Sequence, residues 1–181
     1  MLSKFQEQKI TRMFRFYDAT GNGVIEADDM DAIGERFCEE FGWKRGDEQD
    51  KKFRATFRQV WRRLLMRFDE NQDEQVSLEE FLNAYKHHLD SEASYQEYVQ
   101  PFIENIFNII DTDKKGQWSK QCFVKFYKGF RNTESEAENA FKALDINGDG
   151  VLSREEIYKH FHDFHFSQDT QSPGNLFFGA L

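Results

Sequence analysis

The stretch DINGDGVLSREE, Asp145 to Glu156, decides the reading of this chain. Asp145, Asn147 and Asp149 stand at alternate positions 1, 3 and 5 of a twelve-residue segment. Gly150 follows at 6, Val151 at 7, Ser153 at 9 and Glu156 at 12. Alternate side chains on a tightly wound loop point to a common centre, and here they carry hard oxygen atoms. A backbone carbonyl at position 7 and a carboxylate at 12 complete a shell of six to eight oxygens at ~2.3–2.6 Å, the requirement of Ca²⁺. Gly150 permits a left-handed backbone that a side chain would penalise.

The spacing is that of the EF-hand calcium loop. A search for the same period finds three further segments, starting at Asp18, Asp69 and Asp111, so that the loop starts are 51, 42 and 34 residues apart. Apolar residues precede each loop at helical spacing: Ile10, Met13, Phe14 and Tyr17; Trp61, Leu64, Leu65 and Phe68; Ile103, Ile106, Phe107 and Ile110; Ala137, Ala140, Phe141 and Leu144. Similar stripes follow the loops, and they read as core-facing helix faces. Position 8 is Ile25, Val76, Trp118 or Leu152, apolar throughout. A short strand is expected there, pairing loop one with loop two and loop three with loop four.

The loops differ in ligand chemistry. The first, DATGNGVIEADD, offers Asp18, Thr20, Asn22, the Val24 carbonyl, Glu26 and Asp29. Asp29 at position 12 is one methylene shorter than Glu, which favours the smaller, octahedral Mg²⁺ as an alternative ion. The second, DENQDEQVSLEE, offers Asp69, Asn71, Asp73, the Gln75 carbonyl, Ser77 and Glu80, but has Glu74 in place of the position-6 glycine. Lower affinity than in the fourth loop is expected from that strain. The fourth supplies Asp145, Asn147, Asp149, the Val151 carbonyl and Glu156. The third, DTDKKGQWSKQC, has Lys115 at position 5 and Cys122 at position 12. A cation and a soft sulfur replace two oxygens, so this loop is expected to be empty of metal and structural.

Composition is consistent with a cation-binding protein. The chain has 181 residues, 20 of them Phe and only 2 Pro, and a net charge of -9. That charge disfavours nucleic acid and anionic membranes as partners. Filling three loops with Ca²⁺ would bring the formal charge to -3, so metal should compact and stabilise the chain. There is no long apolar run and, with Cys38 and Cys122 the only cysteines, no disulfide framework; neither a secretory leader nor N-myristoylation is expected. A cytoplasmic monomer is expected, with a protein target not indicated.

Between the first two loops, roughly Asp47 to Phe68 reads as one long helix, whose basic belt from Lys51 to Arg67 reads as a solvated face. Tyr95 and Tyr98 mark a short helix, and Pro101 suits the first turn of the next. His160, His162 and His165 read as packing residues rather than a zinc site. The end, with Leu176, Phe177, Phe178 and Leu181, is too apolar for a free tail and should pack onto the protein itself.

Four hands, the long first inter-loop segment and the HDFHFS…PGNLFFG terminus make the chain resemble the sarcoplasmic calcium-binding proteins and their relatives, which include calexcitin and calerythrin. The resemblance spans essentially the whole chain. It implies an all-α fold of two EF-hand pairs packed into one compact globule, with short two-stranded ladders between paired loops. The pairs would cover residues 1–90 and 91–181. It also implies a non-enzymatic cytosolic Ca²⁺/Mg²⁺ buffer; signalling, as described for calexcitin-like members, is the alternative. A related branch of coelenterazine-binding proteins and photoproteins makes a small-ligand carrier the third reading. In many relatives the second hand is the weak one, whereas here it is the third.

Overall fold

A computed structural model describes residues 2–89 and 91–181, without the His88 side chain; the expected boundary at residue 90 falls on Asp90, outside the described residues. Each loop sits between two helices. In the N-terminal half these are α1 (Lys4–Tyr17) and α2 (Ala27–Phe41), then α3 (Glu48–Phe68) and α4 (Leu78–His88). A short α5 (Glu92–Tyr98) leads to α6 (Gln100–Ile110) and α7 (Lys120–Gly129), then α8 (Glu134–Leu144) and α9 (Arg154–Phe166). A 3₁₀ turn, Pro173–Leu176, carries the C-terminal tail. No described helix is long and apolar enough to cross a membrane.

The ladders form as the apolar position 8 requires. Strand β1 (Val24–Ile25) pairs antiparallel with β2 (Val76–Ser77), placing Ile25 opposite Val76. Strand β3 (Gln117–Ser119) pairs with β4 (Val151–Ser153), placing Trp118 opposite Leu152. All four side chains are fully buried. Each pair thus fixes two loops side by side and tucks the residue between the ligand positions into the core.

One continuous apolar core runs through both pairs. Helix α2 lies on α7, α3 on α6, and α1 on both α4 and α9. The Phe excess explains the interlocking. Phe37 of α2 stacks on Phe53 of α3 and meets Phe126 and Phe130 edge-on. Phe16 lies outside the inward stripe expected of α1, yet it is fully buried and stacks on Phe130. Helix α1 is therefore buried on two faces, one against its own pair and one against the other half.

The tail packs inward as expected through Phe177 and Phe178, both fully buried, whereas Leu181 is exposed. Tyr127 Oη donates to the Leu176 carbonyl beneath it. Gly174 is required there: a Cβ would come within 2.8 Å of the His160 carbonyl oxygen and Asp163 Cβ. Tyr95 anchors α5 in the core, and Pro101 lies in the first turn of α6. The basic belt of α3 needs one correction. Arg54 turns inward, 2.5 Å from Asp50 and 3.1 Å from Glu35, and joins α3 to α2 instead of facing solvent.

Candidate metal centre

The ligand loops are shaped by helix capping. Position 9 of every loop is the N-cap of the outgoing helix, and position 12 is its third residue. A Ser followed three residues on by Glu makes a capping box, in which the carboxylate accepts the N-cap N–H and the hydroxyl accepts the N–H three residues later. Ser77 with Glu80 and Ser153 with Glu156 form such boxes. Glu26 N–H likewise donates to Asp29 Oδ2 at 2.8 Å. The position-12 carboxylate of loops one, two and four is therefore already held at the loop exit. In loop three, Cys122 has no oxygen with which to close the box, and only the Ser119 hydroxyl caps α7.

At the loop entrance, the position-1 carboxylate organises the turn. Asp18 Oδ2 accepts the Gly23 N–H at 3.0 Å, Asp69 Oδ2 that of Glu74 at 3.1 Å, Asp111 Oδ2 that of Gly116 at 3.0 Å and Asp145 Oδ2 that of Gly150 at 3.0 Å. These bonds need positive φ at position 6, and position 4 shares that conformation. Loops one and four use glycine at both places, Gly21 with Gly23 and Gly148 with Gly150. Loop two uses none, and holds Gln72 at φ 60° and Glu74 at φ 61°. Sequence reasoning found the strain at Glu74 and missed the second residue, Gln72.

Asp29 and Glu80 reach further than local caps. Fully buried Asp29 also accepts the Thr20 N–H at 2.8 Å, and Glu80 the Glu70 N–H at 3.1 Å, so both carboxylates tie the loop exit to its entrance. Burial raises the Asp29 pKa, and its backbone hydrogen bonds only partly oppose this. Burial pushes Glu80 the same way, but hydrogen bonds from Ser77 and Glu70 prevail and hold it below the usual carboxylate range. Glu26 accepts from Asn22 at 2.6 Å and from the Gln75 side chain at 3.3 Å, linking loop one to loop two. Asn71, Asp73, Asn147 and Asp149 keep their loop positions, Asn71 and Asn147 each accepting the N–H two residues on. Thr20, Val24, Gln75 and Val151 stand with them in the three loops. The residues fit a hard cation in the sense that each loop places several oxygens around one turn. Among the described residues no three acidic, His or Cys side chains form a ready cluster, because the sets include amide, hydroxyl and carbonyl oxygens and several carboxylates are engaged by loop N–H groups.

Loop three has cations beside its carboxylates, one of its own and one from α9. Lys115 Nζ lies 2.9 Å from Asp113, and Arg154 Nη2 lies 3.9 Å from buried Asp111 while its guanidinium stacks 4.2 Å over the Phe107 ring. The histidines do not converge: His160 Nε2 meets the Leu144 carbonyl, His162 pairs with Glu92, and His165 Nδ1 donates to the Phe161 carbonyl. Between the halves, Met13, Leu64, Phe68, Tyr85, Phe102 and Phe161 border an apolar cavity of about 70 Å³. Pockets for drug-sized ligands run to roughly 300–1,000 Å³.

Comparison with known proteins agrees with this geometry. An EF-hand domain pair model matches residues 7–86, and an EF hand model matches residues 138–162. The chain is 31% identical to the luciferin-binding protein of Renilla reniformis over 176 residues, 94% of this chain and 91% of that one. It is 24% identical to calerythrin of Saccharopolyspora erythraea over 170 residues, 93% and 96% of the two chains. A sarcoplasmic calcium-binding protein from amphioxus has the same fold, with a TM-score of 0.75, 24% identity and all of both chains covered. With its loops capped at both ends and its whole length shared with these relatives, the chain belongs to the EF-hand calcium-binding proteins, close to the sarcoplasmic calcium-binding protein and calerythrin family.

Proposed function

We propose that the chain is a cytoplasmic Ca²⁺ buffer that binds three ions, through loops one, two and four, with loop three serving only as the structural partner of loop four. The observation that carries this is the contrast at position 12. Asp29, Glu80 and Glu156 each have a carboxylate held at the loop exit by the N-cap N–H, whereas Cys122 has none, and the carboxylates of its loop lie beside Lys115 and Arg154. Loop one, with the shorter Asp29, accepts Mg²⁺ most readily. Loop two binds more weakly than loop four because Gln72 and Glu74 must keep positive φ. The two pairs, residues 1–90 and 91–181, act as a monomer without catalytic chemistry. Buffering is favoured over target recognition because the aromatic faces that a sensor would open are shared between the halves and roofed by Phe177 and Phe178.

Calorimetric titration with Ca²⁺ in excess Mg²⁺ tests the reading. Three sites are expected. Asp29→Glu should selectively weaken Mg²⁺ competition at one of them, and Glu156→Gln should remove another. A fourth site that disappears on substituting Asp111 would overturn it.

A further inference from the structure

Chemistry of the opposite sign gathers beside the first loop. Arg12 and Arg15 of α1 and Arg131, in the turn between α7 and α8, border a surface pocket of about 290 Å³ together with Asp18, Gly21, Asn132 and Glu136. Three guanidinium groups thus face two carboxylates on a chain of net charge -9. The arginine ion pairs of the described residues are made by Arg45, Arg54 and Arg154; Arg12, Arg15 and Arg131 make none. Arg12 Nη2 donates to Asn132 Oδ1 at 2.5 Å, but its Nε is buried without an acceptor.

The pocket is built by specific backbone. Arg131 holds φ 66°, a conformation unfavourable for a long side chain, and from there donates to the Ala19 carbonyl in loop one at 3.1 Å. Arg36 donates to the same carbonyl at 2.8 Å and has a second buried nitrogen, Nη1, without a partner. Gly179 lets the tail backbone pack against Arg12: a Cβ there would lie 1.9 Å from Arg12 Nη2. Two halves and the tail therefore meet around these guanidinium groups.

We propose that Arg12, Arg15 and Arg131 form a binding site for a small dianionic oxyanion, of the phosphate or phosphate-monoester class. Guanidinium forks match the tetrahedral oxyanion with paired N–H donors. The site communicates with calcium, since Asp18 lines the pocket and also stands at position 1 of loop one. A cation on Asp18 removes its repulsion of the oxyanion, and by linkage the anion tightens Ca²⁺ binding equally. This coupling rests on the calcium reading of loop one; the anion site does not.

The test is calorimetric titration of the full chain with inorganic phosphate and with glycerol phosphate in excess EDTA, at ionic strength fixed with chloride. A parallel titration uses sulfate with and without saturating Ca²⁺, which avoids calcium phosphate precipitation. Saturable binding is expected in EDTA. Stronger binding of glycerol phosphate than of inorganic phosphate assigns the site to monoesters, and the reverse order to the free ion. Arg15→Gln combined with Arg131→Gly should weaken binding at least about tenfold, while thermal unfolding shows that the variant remains folded. Ca²⁺ should tighten sulfate about fivefold. No saturable binding in EDTA, or wild-type affinity in the double variant, overturns the site. Binding that ignores Ca²⁺ overturns the coupling alone.

Discussion

At the scale of single residues, loop two shows how a ligand set and its backbone are separate inheritances. Asp69, Asn71, Asp73 and Glu80 are all in register, yet Glu74 stands where loops one and four place glycine. The Asp69 carboxylate accepts the Glu74 N–H only because Glu74 adopts φ 61°. Replacing it with glycine removes the Cβ clash at the expense of a more flexible unfolded chain, and where φ is positive the first effect prevails. Glu74→Gly should therefore stabilise the folded protein by about 1 kcal/mol. Urea unfolding in excess EDTA measures this without interference from metal, and an unchanged midpoint would reject strain at position 6. The candidate ligand positions were legible in the sequence because their spacing is periodic and their chemistry is local. Gln72 was not, since an ordinary polar residue carries no mark of its φ, and Arg12, Arg15 and Arg131 were not, since the cluster joins residues more than a hundred positions apart.

At the scale of elements, the four helix–loop–helix units and both ladders follow from apolar periodicity and an apolar position 8. The second buried face of α1 does not. Phe16 breaks the inward stripe, and Lys9 is fully buried, its Nζ donating to the Ser167 carbonyl at 2.8 Å, with the Asp163 carbonyl at 3.4 Å. These oxygens lie at the C-terminus of α9, where a cation meets the negative end of the helix dipole. Helix α1 thus belongs to the C-terminal half as much as to its own. The tail completes that contact, with Phe178 meeting Phe16 at 4.7 Å and Phe164 at 4.7 Å between ring centroids. Truncating a buried Phe to Ala costs about 3–5 kcal/mol. Phe178→Ala should destabilise the protein by that amount, measured by denaturant unfolding. Removing residues 173–181 should also raise the fluorescence of a hydrophobic dye in both metal-free and Ca²⁺-loaded protein. Unchanged dye fluorescence in the truncated chain would show that the tail does not roof the core.

Across the whole molecule, the halves are held by a shared aromatic interior into which two histidine rings, His160 and His165, have been drawn. His165 is fully buried; Nδ1 donates to the Phe161 carbonyl at 2.7 Å, and Nε2 has no partner. It is surrounded by Tyr85 of α4, Tyr95 of α5, Phe161 and Phe164, with the Lys9 ammonium of α1 and His162 as charged or titratable neighbours. Burial, the largest influence, lowers its pKa to about 3, overriding the Phe161 hydrogen bond that favours the proton. His160 is lowered as well, chiefly by burial. The unfolded chain therefore binds more protons than the folded one below the ordinary histidine pKa of 6.5. Stability is at its full value above pH 6.5 and falls as the pH drops toward 3, by about 1 kcal/mol per pH unit for each histidine that stays neutral. Lys9, lowered to about 8, is protonated in both states through this range and does not change the slope. Urea unfolding in excess EDTA between about pH 5 and 7, above the main titration of ordinary carboxylates, reads the effect. His165→Phe fills the same apolar space without a titrating group and should remove roughly one proton from the slope, leaving that of His160. An identical pH slope in the variant would mean that His165 takes up its proton inside the folded core.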